Sequence, residues 1–150
     1  MEENRSIKSE EAISSFKQGF TCSSSIFSAF SSELGLDADT AKKIACGLGA
    51  GISRTGNICG AVSGAILVIG LKYGKTVIGD DAATEKTRLL VRKFIQEFVE
   101  LEGSICCSEL LGYNLNDKED YEKARASGLF TTRCFDLVRD SADILEKILL

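Results

Sequence analysis

The chain of 150 residues contains no histidine and no proline. The first absence removes imidazole acid–base catalysis, Ser–His and Cys–His nucleophile pairs, and every histidine-ligated metal site. The second removes the residue that most often breaks a helix, and suits a mostly helical chain. Long apolar runs are also missing. The longest, Ile58–Leu71, is interrupted by Gly60, Ser63 and Gly64. It falls short of the ~20 residues that span a bilayer and is expected as a buried helix. The N-terminal MEENRSIKSEEAI is polar and acidic, without the basic-then-apolar order of an export signal. A cytoplasmic protein is therefore expected, with no membrane span. There is no basic block, and the formal net charge of −4 argues against nucleic acid as a partner.

The carboxylates suggest no acid–base pair. Glu97, Glu100 and Glu102 read as the wet side of a helix, and Asp117, Glu119, Asp120 and Glu122 as surface. With 44% apolar and 27% charged residues, the composition is that of one compact domain over 1–150.

Helical signals run the length of the chain. Ala12, Ile13 and Phe16 share a face in a segment near Ser9–Lys17. Thr21 caps a helix from Cys22 to about Leu34, with Cys22, Ile26, Ala29 and Phe30 on one side. Asp37 or Asp39 opens a third, with Ala41, Ile44, Ala45 and Leu48 inward. Ile58–Tyr73 is apolar all round, as a central helix should be. Asp80 or Asp81 starts a long helix to about Glu102, stopped by Gly103. Ser104 caps a short helix, Ile105–Leu111. Asn116 and Glu119 are spaced as a capping box ahead of a polar helix that ends at Gly128. A last amphipathic helix begins at Thr132, with Val138, Ala142, Leu145 and Leu149 inward. The fold expected is all-α: six to eight helices around a buried central one.

Six cysteines are many for a chain of this size in a reducing compartment, where thiols serve redox or metal chemistry more often than structural disulfides. Cys22, Cys59, Cys107 and Cys134 each fall in the first turn of a predicted helix and on its inward face. Helix N-termini carry free N–H groups and roughly +0.5 of a charge each, so four together offer about +2. That would lower the thiol pKa values and offset the charge of a four-thiolate iron–sulfur cluster, or activate a thiol pair for disulfide exchange. Packing as small buried hydrophobes is the alternative for each thiol. Cys46 and Cys106 lie off these faces and read as secondary. No two of the four are spaced as C-x-x-C, so any site must be assembled by the tertiary fold.

Glycines gather beside Cys59. The segment CGLGAGISRTGN lacks the Gly-Lys-Ser/Thr of a phosphate loop and reads as a tight link between helices, with Arg54 as a solvated loop charge. Gly56, Gly60 and Gly64 form a line at four-residue spacing that lets a backbone or a cofactor approach closely.

Cys59–Gly64, CGAVSG, resembles the Cys-Gly-Ala-x-x-Gly motif of the C_GCAxxG_C_C family, described as redox-active. The flanking single cysteines match as well: Cys22 in GFTCSSSIF, Cys107 in GSICCSELLG and Cys134 in TTRCFDLV. The resemblance covers about Phe16 to Leu145. It implies a helical four-cysteine domain with Cys22, Cys59, Cys107 and Cys134 as redox thiols or metal ligands, and Gly60, Ala61 and Gly64 beside a cofactor. An iron–sulfur cluster or other metal used in electron transfer to a partner protein is the first expectation. A metal-free thiol/disulfide protein and a helical binding module with structural cysteines are the alternatives. A homodimer is compatible with all three.

Overall fold

The computed structural model describes residues 6–150, so residues 1–5 of the acidic N-terminal segment lie outside the described residues. Eight right-handed α-helices follow in order: α1 Ile7–Gln18, α2 Cys22–Ser31, α3 Ala38–Ala45, α4 Gly60–Tyr73, α5 Asp81–Glu102, α6 Cys107–Leu111, α7 Lys118–Ala126 and α8 Arg133–Leu149. Among the described residues there is no strand, only an isolated antiparallel bridge between Ile58 and Cys106. None of the described helices is long and apolar enough to cross a membrane. The chain is all-α.

Local chemistry sets most of the boundaries. Ser6, Thr21, Asp37 and Asp80 each accept a backbone N–H from three residues ahead, satisfying a donor that the first turn leaves free. Gly19, Gly103 and Gly112 close α1, α5 and α6 in the left-handed conformation that glycine adopts at low cost. Two caps differ from expectation. Asp117, not Asn116, caps α7, because its carboxylate reaches the Asp120 N–H. Cys106 is the N-cap residue of α6, and the Ser104 hydroxyl accepts the Cys106 N–H instead. Similarly, α4 starts at Gly60 rather than Ile58. Residues 57–59 are drawn into the bridge: Cys59 donates to the Ile105 carbonyl (2.8 Å) and Cys107 to that of Asn57 (2.7 Å).

Helix α4 packs on α2, α5 and α8. Ala61, Val62, Ala65, Val68 and Ile69 are fully buried, while Ile66, Leu67 and Gly70 lie only half-buried on its outer face. Phe94 and Phe98 of α5 and Val138, Ala142 and Leu145 of α8 complete this core. Each large apolar side chain removed from water contributes roughly 1.5–3 kcal/mol. A second cluster groups Cys107, Leu111, Leu115 and Ala124 beneath Tyr121 and Phe130.

Small residues set the closest approach. Helix α2, CSSSIFSAFS, buries five serines. Ser23 and Ser24 donate to the Ala45 and Lys42 carbonyls of α3 at 2.7 and 2.8 Å, so burying these hydroxyls leaves none unsatisfied. On the other side, Gly64 lies against the Ser23 backbone: a Cβ there would stand 2.8 Å from the Ser23 carbonyl oxygen. The start of α2 is thereby pressed against the start of α4.

Candidate functional site

Four helix starts meet at one cavity of about 470 Å³. Cys22 is the first residue of α2, Cys59 the N-cap of α4, Cys107 the first residue of α6 and Cys134 the second of α8. All four line the cavity. The bridge between Ile58 and Cys106 holds Cys59 and Cys107 in register. An edge-to-face pair of Phe16 and Phe135, centroids 5.0 Å apart, ties α1 to α8 next to Cys134. The remaining lining is mainly apolar, with Phe16, Leu110, Leu111, Leu115 and Leu137 prominent. Among the described residues of the lining, Arg54 is the only charged one.

The glycines beside Cys59 differ in role. Gly60 and Ala61 line the cavity, whereas Gly64 lies outside it, against α2. A Cβ on Gly60 would overlap the Cys22 sulfur, so the bare glycine makes room for that sulfur. Cys46 also lines the cavity and is exposed. Cys106 donates its thiol to the Gly56 carbonyl at 3.1 Å.

The link CGLGAGISRTGN holds a feature that spacing did not disclose. Ala50, Gly51, Ile52, Ser53 and Arg54 all have positive φ, between 51° and 67°. This is a left-handed turn, and each non-glycine residue in it costs roughly 1–2 kcal/mol. Its hydrogen bonds offset the strain: Arg54 N–H to Ala50 (2.9 Å), Asn57 N–H to Gly51 (2.9 Å), Thr55 Oγ1 to Gly51 (2.8 Å) and Ser53 Oγ to Gly47 (2.8 Å). Arg54 stacks on the Tyr121 ring, 4.2 Å from its centroid, and is not a free loop charge. The turn packs directly on the site. A Cβ on Gly51 would stand 2.6 Å from that of Cys107. The Ala50 N–H points at the Cys22 sulfur, as do those of Ser23 and Gly60.

Electrostatics reverse the expectation of lowered thiol pKa values. Burial pushes Cys22 up, and the surrounding N–H groups only partly oppose it. Burial, then repulsion from Cys22, holds Cys59 well above its ordinary value, against the Ala61 N–H. Cys107 and Cys134 are pushed up to about 12, first by burial and then by Cys22. Helix-end charge counts for less than desolvation in an apolar cavity, where each thiolate also repels the next. The four are therefore neutral thiols near pH 7 unless a cation lies among them.

A pH dependence follows. Below the ordinary thiol value of 9.0, these groups are protonated in both the folded and unfolded chain, and they contribute no pH dependence. Between 9.0 and about 12 the unfolded chain releases the protons that Cys107 and Cys134 keep when folded. Stability then falls as pH rises. Metal-free protein should lose stability across that window, and a Cys107→Ser/Cys134→Ser variant should lose less. Equal slopes in urea titrations at stepped pH would contradict this assignment.

Among the described residues, no three His, Cys, Asp or Glu side chains stand close enough to hold one metal ion. Four sulfurs around a single zinc would stand about 3.8 Å apart. The four thiols border the same cavity and carry no disulfide.

A sequence model of the family described as "Putative redox-active protein (C_GCAxxG_C_C)" matches residues 20–148. No curated protein matches the chain, and no solved structure does.

Proposed function

The chain belongs to the C_GCAxxG_C_C family, and on that premise we propose that Cys22, Cys59, Cys107 and Cys134 together hold an iron–sulfur cluster used in electron transfer. One observation carries this reading: four thiols from four separate helix starts, Cys59 and Cys107 buried and Cys22 and Cys134 half-buried, border a single, mainly apolar cavity. The donor set is all sulfur, which suits iron–sulfur clusters. When bound, such a cluster supplies one-electron chemistry at a potential set by its surroundings.

The residues of the chain then have separate tasks. The four sulfurs are the ligands. The N–H groups of Ala50, Ser23 and Gly60 donate to the Cys22 sulfur, and that of Ala61 to the Cys59 sulfur, offsetting negative charge. Phe16, Leu110, Leu111 and Leu137 exclude water. Gly60 and Gly51 leave the space in which Cys22 and Cys107 sit.

A metal-free thiol/disulfide protein is the weaker reading. Exchange needs a thiolate, and burial opposes its formation at all four positions.

Anaerobic incubation with ferrous iron and sulfide tests the proposal. Brown protein containing iron and acid-labile sulfide is expected. Serine at Cys22, Cys59, Cys107 or Cys134 should lower the incorporation at least severalfold, whereas Cys46→Ser and Cys106→Ser should not. Colourless, iron-free protein would sink the reading.

A further inference from the structure

The cysteines occupy only part of the cavity. Its exposed lining residues, Gly19, Cys46, Ser53 and Arg54, mark the mouth, whereas Cys59, Cys107, Leu110 and Leu137 are buried and form the floor. At about 470 Å³ the space is of a size that holds small organic molecules. Its charge is one-sided. Among the described lining residues there is one cation, Arg54, and no carboxylate.

Arg54 is fixed in place, yet its donors are not used. It ends the left-handed turn, with φ 67°, and its backbone N–H is held by the Ala50 carbonyl at 2.9 Å. Its guanidinium lies over the Tyr121 ring, 4.2 Å from the centroid. Tyr121 lies in turn beside Phe130, with ring centroids 5.5 Å apart. Stacking occupies the face of a guanidinium and leaves the N–H donors, which lie in its plane, directed outward. None of the ion pairs among the described residues includes Arg54. None of the hydrogen bonds made by side chains of the turn and its flank starts from its guanidinium. The hydroxyls nearby are engaged: Ser53 Oγ donates to the Gly47 carbonyl at 2.8 Å, and Thr21 Oγ1 accepts the Ser24 N–H at 3.2 Å. Backbone strain at non-glycine residues such as Ile52 and Arg54 is found where a chain holds a group ready for a ligand.

What surrounds the guanidinium selects the ligand. A planar fork of donors matches a carboxylate, which takes two parallel N–H bonds at once. One cation balances one negative charge, and a polyanion would leave charge unmatched against apolar walls. A cationic ligand would meet like charge at the entrance. Beyond Arg54 the walls are Tyr121, Phe130, Leu111 and Leu115, which suit an apolar body.

We propose that the mouth of the cavity binds a small apolar monocarboxylate, with its carboxylate on Arg54 and its body against Tyr121, Phe130 and Leu115. The sulfurs of Cys59 and Cys107 lie at the floor, so the inference stands whatever the cysteines hold.

Titration calorimetry of metal-free protein with cinnamate tests it. Saturable binding at one site is expected, with a Kd of about a millimolar or tighter, in keeping with a ligand of so few atoms. Cinnamyl alcohol keeps the body and lacks the charge. Acetate keeps the charge and lacks the body. Each should bind at least about tenfold more weakly than cinnamate. Arg54→Gln should weaken cinnamate binding by a similar factor, whereas Arg88→Gln, which removes a cation of α5 outside the lining, should bind as wild type does. No saturable binding of cinnamate to wild type overturns the inference, and so does binding of the alcohol as tight as that of the acid. These two outcomes need no variant to fold. Wild-type affinity in Arg54→Gln, or an equal loss in Arg88→Gln, also overturns it. Each of these results leaves the four-cysteine reading in place, because iron and sulfide incorporation is measured separately.

Discussion

Valine at Gly64 should destabilise the protein by about 3 kcal/mol, through backbone contact alone. A Cβ at that position would stand 2.8 Å from the Ser23 carbonyl oxygen and 3.1 Å from both the Ser23 Cα and the Ile26 Cβ. Two of these atoms belong to the α2 backbone and cannot rotate aside, so α2 must move off α4. Overpacking of this kind typically costs about 1–3 kcal/mol, and the two further methyl groups of valine place it at the upper end. Replacing a helix-interior glycine returns only a few tenths of a kcal/mol to about 1 kcal/mol, so the contact dominates. For a chain of this length the loss corresponds to a fall in Tm of roughly 6–12 °C. Gly70→Ala is the control. Its Cβ would meet nothing within 4 Å, and alanine there should be neutral or stabilising by up to about 1 kcal/mol. Urea denaturation of metal-free protein separates the two, and equal midpoints would refute the packing argument.

Alanine at Gly60 should do the opposite: spare the fold and remove the centre. The first obstacle to its Cβ is the Cys22 sulfur, which sits at the end of a single rotatable bond. The next are the Ser23 nitrogen at 3.1 Å and the Gly49 Cα at 3.2 Å, which need yield only tenths of an ångström. The least costly response is rotation of Cys22 out of the cavity. One of the four ligands, and the hydrogen bonds from Ala50, Ser23 and Gly60 that serve it, are then displaced. Iron and sulfide incorporation should drop at least tenfold, with the stability of the metal-free chain changed by about 1 kcal/mol or less. Wild-type loading in Gly60→Ala would mean that the position of Cys22 is immaterial, and the proposed centre would lose its ligand set.

These two glycines lie one helical turn apart in CGAVSG, and the sequence alone treats them alike. It marks both as places where something comes close. The neighbour of Gly60 is a sulfur and that of Gly64 is a carbonyl oxygen, and only the docking of α2 on α4 distinguishes them. The same divide runs through the charged residues. Glu102 sits on the helix face that periodicity assigns to water, and becomes buried because Arg133 folds over the end of α5 from a position far along the chain.

The residues alone determined what depends on near neighbours. That includes an all-helical chain, the cap at Thr21, caps narrowed to Asp37 or Asp39 and to Asp80 or Asp81, the glycine stop at Gly103, and the position of four cysteines at or beside helix starts. Each arises from interactions within about one turn, so a local reading recovers it. Tertiary structure decided the convergence of those helix starts on one cavity, the left-handed path of Ala50–Arg54, the start of α4 after the bridge to Cys106, and the upward shift of the thiol pKa values. These depend on groups far apart in the chain. Desolvation and charge repulsion sum over everything nearby in space, and no window along the sequence contains that sum.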